Sequence, residues 1–143
     1  MEFAERYNAG LKEFEKAFKG FEYGLSIDLS LHPAIEADYI RNGWIQKFEY
    51  CAELAWKLAK ILLEWKNGQL INAPKNVYRE LFINNHITEE LSIALIETIN
   101  DRNRLSHVYK EEVFDVVLQY MPKHIQAFLA LLKIFKFNTL SED

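Results

Sequence analysis

The sequence is poor in the features that staple, break or anchor a chain. One cysteine, Cys51, stands among 143 residues, which excludes an intramolecular disulfide and suits a reducing compartment. No run of alternating apolar and polar residues is long enough to read as a strand, and there is no internal repeat or low-complexity tract. Long hydrophobic runs are missing too. The most apolar stretch, "IQAFLALLKIFKF", is broken by Lys133 and Lys136, so no membrane span is expected. The opening "MEFAERYNAG" carries charge from its second residue and lacks the apolar core of a secretory signal. Positive charge is also in deficit, with 17 Lys and Arg against 21 Asp and Glu and a formal net charge of -4. That balance excludes a general nucleic-acid coat, so no DNA partner is expected and any RNA contact must come from a local patch. A soluble, cytoplasmic, single-domain protein is the expectation.

What is present is helical periodicity. Phe3, Tyr7, Leu11, Phe14, Phe18, Phe21 and Leu25 recur every three or four residues and predict a first helix. "SIDLSLHPA" interrupts the pattern, and Pro33 closes off any helix running into it. Trp44, Phe48, Cys51, Ala55, Leu58, Leu62 and Trp65 predict a second helix from about residue 36 to 66, ended by Gly68. Pro74 suits the first turn of a short helix over "PKNVYRELFINNH". Thr88 then caps a fourth helix whose buried side carries Leu91, Leu95 and Ile99. A fifth starts near Lys110 and carries Val113, Val117, Tyr120, Phe128, Leu131 and Phe135, with a bend expected at Pro122. The fold class expected is all-α: an antiparallel up-and-down four-helix bundle with one short extra helix, its core over about residues 3–136 and its tail "NTLSED" frayed.

Chemistry concentrates in "DRNRLSHVYKEE", residues 101–112. Arg102 and His107 are separated by four residues, a pairing suited to metal-independent phosphodiester cleavage. An imidazole exchanges protons near neutral pH with a ribose hydroxyl, while a guanidinium offers a planar fork of donors to phosphate oxygens. Asn103 adds a neutral donor and Arg104 a second, auxiliary phosphate-binding charge. Spacing alone carries little: with 5 Arg and 4 His in the chain, roughly 0.4 such matches arise by chance. Arg79 and His86, with six residues between them, form a second match that reads as structural. The same residues at 102–109 also suit a plain helix end, with positive charge on the C-terminal carbonyls and Asn103 or Ser106 closing the turn. On one continuous helix a five-residue step turns about 140°. Arg102 and His107 therefore converge only if the helix breaks between them or a second subunit brings its own copies.

Other groups are weaker. His107 and Glu111 have a one-turn spacing, but no third ligand and no HExxH accompany them, so no metal is expected. Cys51 lies on a core stripe as an inert thiol. Lys123, Lys133 and Lys136 read as a solvated edge. Trp56, in "AELAWK" with Glu53 and Lys57, falls off the main stripe and suits either bundle packing or contact with a second protein.

Three ordered stretches, "RNGWIQKFEYCAELAWKLAKILLE" (41–64), "PKNVYRELFINNHI" and "DRNRLSHVYKEE", resemble the nucleotidyltransferase substrate-binding protein family, a branch of the HEPN group. The resemblance spans roughly residues 35–135. It implies a helical, usually dimeric HEPN-like domain covering 1–143, and a partner in a separate small nucleotidyltransferase. It further implies a ribonuclease-like toxin whose catalytic residues match Arg102, His107 and Asn103. The transferase, as antitoxin, would add AMP to the tyrosine matching Tyr109. A Gly-Ser with paired aspartates, the transferase's own signature, is missing here, since "GLSIDL" supplies only Asp28, and no cofactor is expected. A non-catalytic nucleotide-binding subunit and a purely structural dimer are the other readings the residues allow.

Overall fold

In a computed structural model the structure describes residues 2–107 and 111–140, the side chain of Leu140 excepted. Among them are five α-helices, α1 (Glu2–Leu25), α2 (Ala34–Asn67), α3 (Pro74–Ile83), α4 (Glu89–His107) and α5 (Glu111–Leu140), one 3-10 turn at Leu29–Leu31, and no strand. The fold is an all-helical bundle. None of these helices is long and apolar enough to cross a membrane.

Local chemistry explains the boundaries. Between α1 and α2, Asp28 accepts from the Ser30 amide and hydroxyl, at 3.0 and 2.7 Å, and so starts the 3-10 turn. Helix α2 ends at Gly68, which takes the left-handed conformation at φ 65° that a side chain resists. Helix α3 stops at Ile83, short of the His86 expected from the pattern. Asn85 adopts φ 63°, and the His86 amide returns to the Leu81 carbonyl at 2.9 Å, a closure of the kind that seals helix ends. Two consecutive asparagines therefore terminate a helix that the apolar spacing alone would have carried on. Helix α5 continues through Pro122, and the expected start near Lys110 lies outside the described residues.

The core is a ladder of rings between α1, α2 and α5. Phe14 meets Phe128 and Phe135 edge-on at 6.2 and 5.6 Å, and Phe21 meets Phe48 and Phe128. These are geometries that ring quadrupoles favour. At one end Tyr7 turns its hydroxyl to the Phe135 carbonyl at 2.7 Å, so even this buried polar atom is satisfied. Contacts along α1 and α2 run in opposite senses: Trp44 bonds the Gly24 carbonyl, Tyr50 bonds Glu13, and Arg6 reaches Glu64. Helix α3 packs between α2 and α4, and α4 packs on α5. One expected core residue is misplaced. Tyr120 is 44% exposed, and the buried stripe of α5 steps instead through Val117, Met121, His124, Phe128, Leu131 and Phe135. That spacing of four, three, four, three and four leaves Tyr120 one position off the seam.

Phe14→Ala should lower unfolding free energy by about 3–5 kcal/mol, because it empties a site between two other rings. Tyr7→Phe should cost only about 1 kcal/mol. Urea unfolding followed by circular dichroism separates the two. Cys51 is wholly buried, and burial pushes its thiol up to about 12. It should therefore resist alkylation near about pH 8 in the native protein and react on unfolding, as mass spectrometry would show.

Candidate functional site at the end of α4

Helix α4 is built to run without interruption to its last turn. Thr88 caps its start, its Oγ1 accepting from the Leu91 amide at 3.1 Å. Glu89 and Glu90 stand at the positive end of the helix dipole, and Arg104 and His107 at the negative end. At about 100° per residue, its final turns present two different faces to the bundle.

One face meets α5. Asp101 and His124 are 2% and 3% exposed, and His124 Nε2 lies 2.6 Å from Asp101 Oδ2. His124 also stacks on Phe48 of α2, at 4.9 Å and 21°. The other Asp101 oxygen, Oδ1, accepts from Arg104. Both carboxylate oxygens are thus satisfied, the condition under which a buried charge is tolerated. Above this pair lies a cavity of about 450 Å³ whose walls include Ile93, Glu97, Arg104, Tyr120 and Lys123, with the Lys123 ammonium 5.9 Å from the Tyr120 ring centre.

The other face meets α2 and α3 and holds Arg102. Its guanidinium lies 3.4 Å from Glu53 Oε1, and Glu53 Oε2 accepts from Trp56 Nε1 at 2.9 Å. Trp56, off the main stripe of α2, is half-buried against the core and orients this carboxylate. Glu49, one turn earlier on α2, has its carboxyl raised by burial, partly offset by the Arg102 charge.

Arg102, Asn103, Arg104 and His107 therefore share the last two turns of one unbroken helix. No break brings Arg102 and His107 together within the chain, and the turn of about 140° between them persists. Arg102 sits partly buried toward α2, whereas Asn103, Arg104 and His107 are exposed. His107, three residues after Arg104, lies near the Arg104 face. Tyr109 lies outside the described residues. Sequence reasoning missed Asp101 and His124. The available signal was the α5 stripe itself, whose spacing puts His124 among Met121, Phe128 and Leu131, where a polar residue needs a partner.

The remaining candidates disperse. Arg79 bonds Asn76 within α3 at 2.6 Å, and His86 bonds Asn67 at the end of α2 at 2.7 Å, so the two members of the second Arg–His match have separate partners. His107 closes α4 while Glu111 opens α5, so these two do not share a helix. Among the described residues no group of three or more His, Cys, Asp and Glu is placed to hold a metal ion. Lys136 pairs with Glu15 rather than forming a basic track.

The profile of a family described as nucleotidyltransferase substrate binding protein like matches residues 7–136. The chain belongs to that family. Among solved structures this family member is similar to a protein from Thermus thermophilus, with a TM-score of 0.74 and 23% identity over 85% of this chain and 98% of that one. It is similar also to the tri-AMPylated Shewanella oneidensis HEPN toxin, solved in complex with MNT antitoxin. There the TM-score is 0.71 at 18% identity, over 95% of this chain and 98% of that one. A toxin–antitoxin structure with AMP-PNP gives 0.71 at 17% identity, over 94% and 98%. Likeness at these identities concerns the fold. A search among curated proteins found no match.

Asp101→Ala strands His124 in the core and should cost about 3–5 kcal/mol. Arg104→Ala removes a side chain that is 52% exposed and should cost less than about 1 kcal/mol. Thermal and urea unfolding of the two variants would test that contrast.

Proposed function

We propose that this protein is a HEPN ribonuclease-like toxin, cytoplasmic and homodimeric, restrained by a cognate small nucleotidyltransferase. The observation that carries the reading is the complete Arg102–x4–His107 pattern at the end of α4, in a chain whose family profile spans nearly its whole length. Support for the partner comes from the Shewanella HEPN toxin, which shares the fold and was solved with MNT antitoxin in a tri-AMPylated state. Residues 1–143 form, in this reading, a single HEPN-like domain. Its four long helices make an antiparallel up-and-down bundle with α3 as the short extra helix.

The chemistry follows from the groups. In a two-fold dimer the paired α4 ends supply two His107 imidazoles and two Arg102 guanidinium groups around one RNA phosphate. One imidazole takes the proton of the ribose 2′-hydroxyl as its oxygen attacks phosphorus. The second gives a proton to the departing 5′-oxygen, leaving a 2′,3′-cyclic phosphate. Arg102 bears the charge that builds on the phosphate oxygens, Asn103 adds a neutral donor, and Arg104 holds a flanking phosphate. Divergence of Arg102 and His107 within one helix is what makes the second copy necessary. The transferase would move AMP from ATP onto the Tyr109 hydroxyl and release pyrophosphate. That would add a charged, bulky group two residues from His107 and exclude RNA.

A second reading, a non-catalytic nucleotide-binding subunit of a two-component transferase, draws on a different observation. Arg102 at rest is paired with Glu53, an arrangement that suits holding a phosphate as well as cleaving one.

Wild-type protein should cleave RNA in EDTA, and His107→Ala should be slower by about 10²–10⁴-fold. Equal rates from identically purified proteins would dismiss the ribonuclease. Silence from both would favour the binding subunit, which a nucleotide titration in the presence of the transferase, ATP and Mg²⁺ would then report.

A further inference from the structure

Arg102 is held by a contact that an anion can break. The 3.4 Å separation from Glu53 exceeds the roughly 2.7–2.9 Å of a tight charge-assisted bond. The two side chains are 27% and 30% exposed. Such a pair changes an equilibrium constant by no more than about fivefold. Glu53 itself is anchored from behind, because its second oxygen is engaged by Trp56. Tyr78 on α3 completes the group. It is wholly buried, its hydroxyl has no hydrogen-bond partner among the described residues, and the charges of both Arg102 and Glu53 act on it. Buried hydroxyls are nearly always partnered, so the Tyr78 hydroxyl is a buried donor left without an acceptor among the described residues.

We propose that Arg102 is a reserved phosphate-binding site: Glu53 is its resting counter-ion, a phosphate ester displaces Glu53, and the Tyr78 hydroxyl donates to the released carboxylate. The proposal rests on the reading that Arg102 binds phosphate. A phosphate ester offers several oxygens to the planar fork where Glu53 offers one. Asn103, the next residue along the helix, is exposed and can take another oxygen, whereas Arg104 faces α5. The result is a site that stays neutralised until an anion with better geometry arrives, which reconciles a phosphate-binding arginine with an acidic protein.

The experiment measures binding of a fluorescent single-stranded 2′-O-methyl RNA, which cannot be cleaved, and in parallel of AMP, to the full chain in EDTA. Glu53→Gln keeps an oxygen for Trp56 while removing the competing charge, and should tighten binding about fivefold. Tyr78→Phe should weaken it about threefold, by the standing of one hydrogen bond, while leaving the melting temperature unchanged or higher. A merely structural tyrosine would not produce that opposition. Arg102→Ala should abolish binding. If Arg102→Ala binds like wild type, the phosphate role of Arg102 falls, and this proposal with it. If Arg102→Ala loses binding but Glu53→Gln is no tighter than wild type, only the counter-ion proposal is overturned. The same ordering with AMP but not RNA upholds the exchange and assigns the site to a nucleotide. Absence of binding by every variant, Glu53→Gln included, overturns both.

Discussion

The hydrogen-bonded pair of Asp101 and His124 is the contact on which the candidate site depends. It ties the penultimate turn of α4 to the middle of α5, and His124 carries the tie onward by stacking on Phe48 of α2. An ionisable pair with both members almost wholly buried is weak evidence for stability in itself, since apolar residues of similar volume often do as well. Its worth is in specificity of placement. With Asp101 locked, the rotation of α4 is set. Arg104 is drawn to the α5 side, and Arg102, about 100° further round from Asp101, is turned toward Glu53 and Tyr78. A helix held only by leucines could rotate by a few tens of degrees at modest cost. The 2.6 Å polar contact adds a directional constraint to that packing.

That rotation decides what chemistry a single chain can do. The arginine and histidine of the Arg–x4–His pattern point to different sides of one continuous helix, so in the proposed ribonuclease the pair would act only across a boundary with a second molecule. Arg102, meanwhile, is already engaged within its own chain. The two facts are compatible with a site that is incomplete and quiet in isolation, assembled by a partner copy and opened by its ligand. An acidic protein with a locally cationic helix end fits that arrangement: steering by net charge is absent, so recognition must come from the few donors at the end of α4.

The helical architecture was legible because its causes are local. The 3–4 spacing of Phe14, Phe18 and Phe21, the Thr88 cap, the glycine at 68 and the proline at 74 each act within a turn of chain, and the structure uses each as expected. Where the pattern misled, a second local effect outweighed it. The Asn84–Asn85 turn ended α3 early, and a one-position phase error placed Tyr120 on the seam that Met121 occupies.

The sequence by itself determined that the chain is helical, where its helices begin and end to within a few residues, and that its polar chemistry gathers between residues 101 and 109. Apolar period, capping side chains and turn residues are short-range causes, and a single chain displays them in order. Only the tertiary structure decided which groups meet. Asp101 and His124 are 23 residues apart, and Arg102 and Glu53 lie on different helices altogether. Their pairing depends on how α4 is rotated against α2 and α5, which no spacing along one helix encodes.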